Sequence, residues 1–251
     1  MLARLAPTPS GYLHQGNAVN FALVSDLARA RGCDIALRID DVDAPRARAE
    51  YLEDIFRVLE WLGIEWQVGP LSAEDMETWS QTRRMDHYLR ARDELLAHTE
   101  YFYVCECSRS TRHASGCACD QRRLSLEADR TALRMRWRAG LDPVVWRRDG
   151  LPAFHLTSIV DDELLGVSLV VRGEDLREAS DFQRDLSRFL PGDYFAGVHV
   201  VHHPLMRDRD GRKMSKSAGA GATPMMLTAD MRENIRDVAA RMRVELDRVI
   251  R

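Results

Sequence analysis

Residues 2–17 read LARLAPTPSGYLHQGN. The apolar run Leu2–Ala6 predicts a buried strand. Pro7-Thr8-Pro9-Ser10-Gly11 predicts a turn, because proline cannot donate to a ladder and glycine takes turn conformations readily. From about Gly16 to Arg31, Val19, Leu23, Leu27 and Ala30 recur at helical spacing. A second strand, Ile35 to Ile39, runs into Asp40, Asp41 and Asp43. A second helix, about Arg46 to Leu62, carries Leu52, Ile55, Leu59 and Leu62 on one face. Strand, helix, strand, helix is the pattern of a parallel α/β sheet, which binds ligands beyond the carboxyl ends of its strands. Here that place holds His14, Gly16 and Asn17 at a helix start. Backbone N–H groups there attract an anion, Gly16 allows a ligand close to the backbone, and His14 can donate to a phosphate oxygen. By itself the stretch fits equally a tight turn with a surface histidine.

Further along, a helix is expected over about Trp79 to His98, and the segment YFYVCECSRSTRHASGCACDQRR at 101–123 interrupts the α/β rhythm as an insertion. Strand-like runs follow at Leu133–Trp137 and Pro143–Arg147. A helix near Leu151–Asp162, a strand at Ser168–Val171, a helix near Ser180–Leu190 and a strand at Val198–His202 resume the pattern. The last helix, about Ala229 to Ile250, shows Met231, Ile235, Val238, Met242, Leu246 and Val249 on one stripe.

The 251 residues are 45% hydrophobic and 30% charged, which fits an ordinary folded core and excludes disorder as the main state. No apolar run approaches the ~20 residues of a membrane helix, and Met1 to Gly11 lacks a signal-peptide stretch, so a cytoplasmic location and no membrane contact are expected. The net charge of −3 excludes binding nucleic acid by bulk charge alone, although 101–150 and 207–251 carry more basic than acidic residues. Positive charge is almost all arginine: the only two lysines are Lys213 and Lys216, in the loop GRKMSKSAGAGA. A compact, mobile ammonium is not interchangeable with guanidinium where charge must follow a phosphate, so these two positions read as a mobile loop for a polyphosphate transition state. Five cysteines make an odd count, and four of them form Cys105-x-Cys107 and Cys117-x-Cys119, a donor set for tetrahedral Zn²⁺ in a closed structural site. His113 is a spare donor, and Cys33 reads as packing.

An early His-x-Gly at a helix start together with a late Lys-Met-Ser-Lys-Ser loop resembles the signature pair of class I aminoacyl-tRNA synthetases. ARLAPTPSGYLHQGN, LRIDDVDAPR, FHLTSIVDDELLGVSLVVRGEDL and HHPLMRDRDGRKMSKS resemble the glutamyl-tRNA synthetase family in order and spacing, over about residues 3 to 217. The resemblance implies a Rossmann-like catalytic domain with its first half at 1–100. An insertion with a four-cysteine zinc site would occupy 101–150, the second half with the lysine loop 151–217, and a short helical segment 218–251. Only a few dozen residues follow the loop, so no anticodon-binding domain is expected. That is similar to the glutamyl-queuosine tRNA(Asp) synthetase subfamily, whose members activate glutamate with ATP and attach it to queuosine in the tRNA(Asp) anticodon. That branch often has tyrosine as one zinc ligand; here all four are cysteine.

By this resemblance Thr8, His14, Gly16, Asn17, Lys213, Ser215 and Lys216 bind ATP, with Mg²⁺. His14, Lys213 and Lys216 act in catalysis. Arg4, Ala6, Thr8, Asp40, Phe154, Ser158 and Arg172 hold the amino acid, glutamate or a related one, with Arg4 and Arg172 meeting its carboxylates. Asp43 and Arg46 lie near the acceptor, and the chain works as a monomer. Asp40 stands where the family has Glu, which meets the substrate ammonium, Phe154 where it has Tyr and Thr8 where it has Ser. These departures leave room for a different amino acid. Two other readings are an adenylating ligase with a non-tRNA acceptor and a non-catalytic nucleic-acid-binding relative.

Overall fold

The computed structural model describes residues 1–42, 47–107, 118–138, 141–205 and 223–249. In chain order these form β1 (Leu2–Leu5), α1 (Gln15–Ala30), β2 (Asp34–Leu37), α2 (Ala49–Leu62), α3 (Met76–Trp79), α4 (Met85–Ala97), β3 (Phe102–Cys105), β4 (Ala132–Met135), β5 (Val144–Trp146), α5 (Phe154–Leu165), β6 (Leu169–Gly173), α6 (Arg177–Ser187), β7 (His199–His203) and α7 (Ala229–Val249). The chain divides into two compact units. The first holds Met1–Arg83, Leu165–Arg177 and Val198–Arg251; the second holds Arg84–Leu164 and Glu178–Gly197. The second unit takes in α4 and most of α5 and α6.

The first unit is built on a parallel sheet ordered β2-β1-β6-β7. β1 is short because Pro7 and Pro9 follow it and cannot donate to a neighbour. Ala3, Leu5, Ile35, Leu37, Leu169, Val171 and Val201 put their side chains into one core with Val19, Leu23 and Leu27 of α1 and Ile55, Val58 and Leu59 of α2. The stripe expected on the last helix is real. Ile235, Ala239 and Leu246 of α7 are buried in this same core, with Met231, Val238 and Met242 packed against it. α2 ends at Gly63, whose φ of 62° is the left-handed conformation that closes helices. Its last carbonyls then receive α7: Arg232 Nη1 donates to Trp61 O at 3.3 Å and Arg236 Nη2 to Leu62 O at 2.6 Å. Two cations at a helix C-terminus complement its dipole.

One expected element is corrected. The helix read over 79–98 is broken, with α3 ending at Trp79, a 3-10 turn over Gln81–Arg84, and α4 starting at Met85. The cause is tertiary. Gln81 is fully buried, its N–H donates to Asp41 Oδ1 at 2.7 Å, and its Oε1 accepts from Val42 N at 2.9 Å. A continuous helix would take that backbone N–H from the loop after β2.

The second unit has an antiparallel sheet ordered β3-β4-β5. Its buried polar centre is Asp161 on α5, which accepts from the Tyr88 hydroxyl at 2.6 Å and Arg84 Nε at 2.8 Å. Burial, and then the charge of Asp161, pushes the Tyr88 phenol far above its ordinary range. Among the described residues, no helix is long and apolar enough to cross a membrane.

Candidate active site

The strand order reverses direction at β1, with β2 on one side and β6 on the other, so the carboxyl end of β1 is the switch point where such sheets bind ligands. The chain leaving β1 is tied to the chain leaving β2. Arg38 N donates to Leu5 O and Asp40 N to Pro7 O, both at 2.9 Å, while Ser10 N closes the turn onto Thr8 O at 2.9 Å. The segment after α2 supports β2 from the other side. Leu37 N donates to Val68 O at 2.8 Å, and a Cβ on Gly69 would lie 2.1 Å from Leu37 O, so only glycine fits there.

His14 is the N-cap of α1. Its Nδ1 accepts from Asn17 N at 3.4 Å, and Asn17 Oδ1 accepts from His14 N at 3.2 Å. This reciprocal cap makes Nδ1 an acceptor, so a neutral ring carries its proton on Nε2, the nitrogen able to donate to a phosphate. Asn17 thereby acts on the backbone as well as standing in the expected phosphate set. Gly16 lies in the first turn of α1. The loop before it is anchored by Asp54, a buried acid on the apolar face of α2 that accepts from Leu13 N at 2.9 Å and pairs with Arg57. Asp54 was not singled out from sequence. Its signal was there: an acid four residues before Val58, inside a hydrophobic stripe.

The arginines expected to meet carboxylates share one surface. Ala3 pairs with Leu169, so Arg4 lies beside Val170, and Arg172, two residues on, points to the same face as Arg4. Both are buried. Arg38, two residues past Ala36, continues that face, because Ala36 pairs with Arg4. Arg38 Nε donates to Asp40 Oδ1 at 2.7 Å and Nη2 to Asp40 Oδ2 at 3.2 Å. Of the expected residues, Arg4, Ala6, Thr8, His14, Gly16, Asn17, Asp40 and Arg172 therefore lie in the first unit, and Phe154 and Ser158 on α5 in the second. Ser158 is fully buried, and Phe154 is 43% exposed. Asp43, Arg46, Lys213, Ser215, Lys216 and Cys117 lie outside the described residues, as does His113.

At the exit of β7, His203 is buried, its Nδ1 2.8 Å from Pro204 O and its Nε2 3.0 Å from Asn20 Oδ1. Burial holds its pKa below the ordinary value. A neutral ring has one N–H, which Pro204 O takes, so Asn20 must turn its amide NH₂ towards Nε2.

In the second unit the sulfurs of Cys105, Cys107 and Cys119 lie within 4.8 Å of one another. Cys107 Sγ is 3.6 Å from Cys119 Sγ, close to the roughly 3.8 Å edge of a tetrahedron built on Zn–S bonds. Cys107 N–H donates to Cys105 Sγ at 3.4 Å. Arg122, held by Glu106, adds positive charge near Cys119. The donor set fits zinc.

Residues 1–114 match the family described as tRNA synthetases class I (E and Q), catalytic domain. A glutamyl-Q tRNA(Asp) synthetase of Nitratidesulfovibrio vulgaris is 33% identical over 252 residues, covering 85% of this chain and 76% of the relative. The chain belongs to the glutamyl branch of the class I tRNA synthetases. It is a class I ligase by family, with the branch's Rossmann-like catalytic fold. Glutamate–tRNA ligase 2 of Acidiphilium cryptum is 36% identical over 257 residues, covering 86% of this chain and 55% of the ligase. The chain thus spans about half the length of such ligases. The crystal structure of glutamate-tRNA synthetase from Elizabethkingia anophelis matches with a TM-score of 0.68 at 23% identity, over 87% of this chain and 53% of that one, a likeness of fold.

Proposed function

We propose that this synthetase-branch protein activates glutamate with ATP and transfers the glutamyl group to queuosine in tRNA(Asp). The observation that carries the first step is the placement of Arg4 and Arg172 on one sheet face, at the switch point whose other exit is the capped N-terminus of α1. Arginine grips a carboxylate through two parallel hydrogen bonds, which suits a dicarboxylic amino acid. The helix start and His14 Nε2 suit the phosphates of ATP.

In the first step the substrate α-carboxylate attacks the α-phosphorus of ATP, forming the acyl-adenylate and releasing pyrophosphate. The carboxylate is already the nucleophile, so no general base is required, and catalysis consists of positioning and charge neutralisation. Lys213 and Lys216 carry the charge that follows the departing pyrophosphate. Mg²⁺ accompanies ATP. In the second step the acceptor takes the acyl group and AMP leaves. Cys105, Cys107 and Cys119, with Cys117, would hold a structural zinc.

The test has two arms. His14→Ala should lower the rate of glutamate-dependent ATP–pyrophosphate exchange by roughly 100-fold, the size of one lost transition-state donor, with glutamate KM nearly unchanged. Radiolabelled glutamate should then transfer to tRNA(Asp) bearing queuosine and not to the same tRNA with guanosine at that position. Equal transfer to both, or to neither, contradicts the acceptor.

A further inference from the structure

Asp40 stands where the branch has a longer acid, and the residue that holds it was not part of the expected site. Arg38 is 2% exposed, and its guanidinium takes both oxygens of Asp40 in a fork-to-fork pair, at 2.7 and 3.2 Å. Two backbone bonds, Arg38 N to Leu5 O and Asp40 N to Pro7 O, fix both residues against the exit of β1. The Asp40 side chain keeps 11% of its surface accessible, while that of Arg38 keeps 1%. A ligand can therefore reach the carboxylate, but not the guanidinium behind it.

We propose that Arg38 is a positioning residue that sets how this site reads the substrate's ammonium group. The inference rests on the reading that the site takes glutamate. Arg38 takes one acceptor direction on each carboxylate oxygen. An ammonium would approach on the accessible side. Aspartate is one methylene shorter than glutamate, so it cannot reach for its ligand; its aim must be set for it. The bidentate pair sets that aim, since a planar fork admits one orientation of the carboxylate plane. Without Arg38 the half-buried Asp40 carboxylate would lose the bidentate hold that fixes its plane. The loss would fall on a contact with the ammonium, the group that distinguishes an amino acid from a plain dicarboxylic acid, and it would spare the contacts of Arg4 and Arg172 with carboxylates.

The experiment measures glutamate and glutarate, which lacks only the amine, against wild type, Arg38→Gln and Arg38→Lys. Equilibrium binding is read by calorimetry and turnover by ATP–pyrophosphate exchange. Arg38→Gln should weaken glutamate binding and raise its KM by about tenfold or more, the scale of a lost polar recognition contact. Its kcat and ATP KM should stay within about threefold, and glutarate affinity should be nearly unchanged, so the preference for glutamate over glutarate collapses. Arg38→Lys, with one bond in place of two, should recover part of that preference. Equal losses for glutamate and glutarate, or an unchanged preference, overturn the inference. Wild type that binds glutamate but shows no exchange overturns the proposed activity alone. Wild type that binds neither acid overturns both.

Discussion

Two buried groups make single-residue predictions. His203 is held neutral by burial, against a smaller pull towards the charged form from Pro204 O and the carboxylates of Asp175 and Glu174. Its folded pKa lies below its unfolded one, so between the two the unfolded chain binds more protons. Its contribution to stability is therefore complete above about pH 6.5 and is lost as pH falls towards the folded value. His203→Gln should flatten the fall in urea midpoint between about pH 7.5 and 5.5; an unchanged slope would assign that fall to other groups. Asp161 is the second. Asp161→Ala removes the acceptor that the buried Tyr88 hydroxyl and the half-buried Arg84 share and should cost about 3–5 kcal/mol in denaturant unfolding. Asp161→Ala combined with Arg84→Met should recover much of that loss. At this scale the sequence showed residue types and not pairings. Arg4 and Arg172 were legible because they stand in motifs, and their shared face followed only once the β1–β6 register was known. Arg38, two positions before Asp40 on the same strand exit, falls on that face by alternation, but spacing alone does not show its pairing with Asp40.

At the scale of elements, periodicity found the helices that pack by one stripe. α7 is the clearest case, and Ile235→Ala should cost about 2–5 kcal/mol by opening a cavity against α1. The check is equilibrium unfolding, and a cost near zero would mean that α7 contributes little to the first unit. Periodicity failed between Trp79 and Met85, where the pattern continues but the helix does not. The bonds from Gln81 to Asp41 and Val42 that break it join residues about forty apart in sequence. β3 was hidden for another reason: its four buried residues run into the cysteines, so the segment read as an interruption. The cap on α1 was foreseen as a helix start, but the part played by Asn17 in holding His14 was not.

At the scale of the molecule, the first unit carries most residues of the proposed adenylating site and the second carries the cluster Cys105, Cys107 and Cys119. The purified chain should carry one zinc per molecule by elemental analysis, and Cys119→Ala should lose it and lower the unfolding temperature. Full zinc content in that variant would rule Cys119 out as a ligand. The most direct test of the central claim is ATP–pyrophosphate exchange with Mg²⁺ across a panel of amino acids, without tRNA, for wild type and Arg172→Gln. Exchange should depend on glutamate, with kcat/KM for glutamate reduced roughly 10- to 100-fold in the variant, the scale of lost charge-assisted hydrogen bonds, and ATP KM unchanged. Exchange driven best by an amino acid without a side-chain carboxylate, or by none, would contradict the claim.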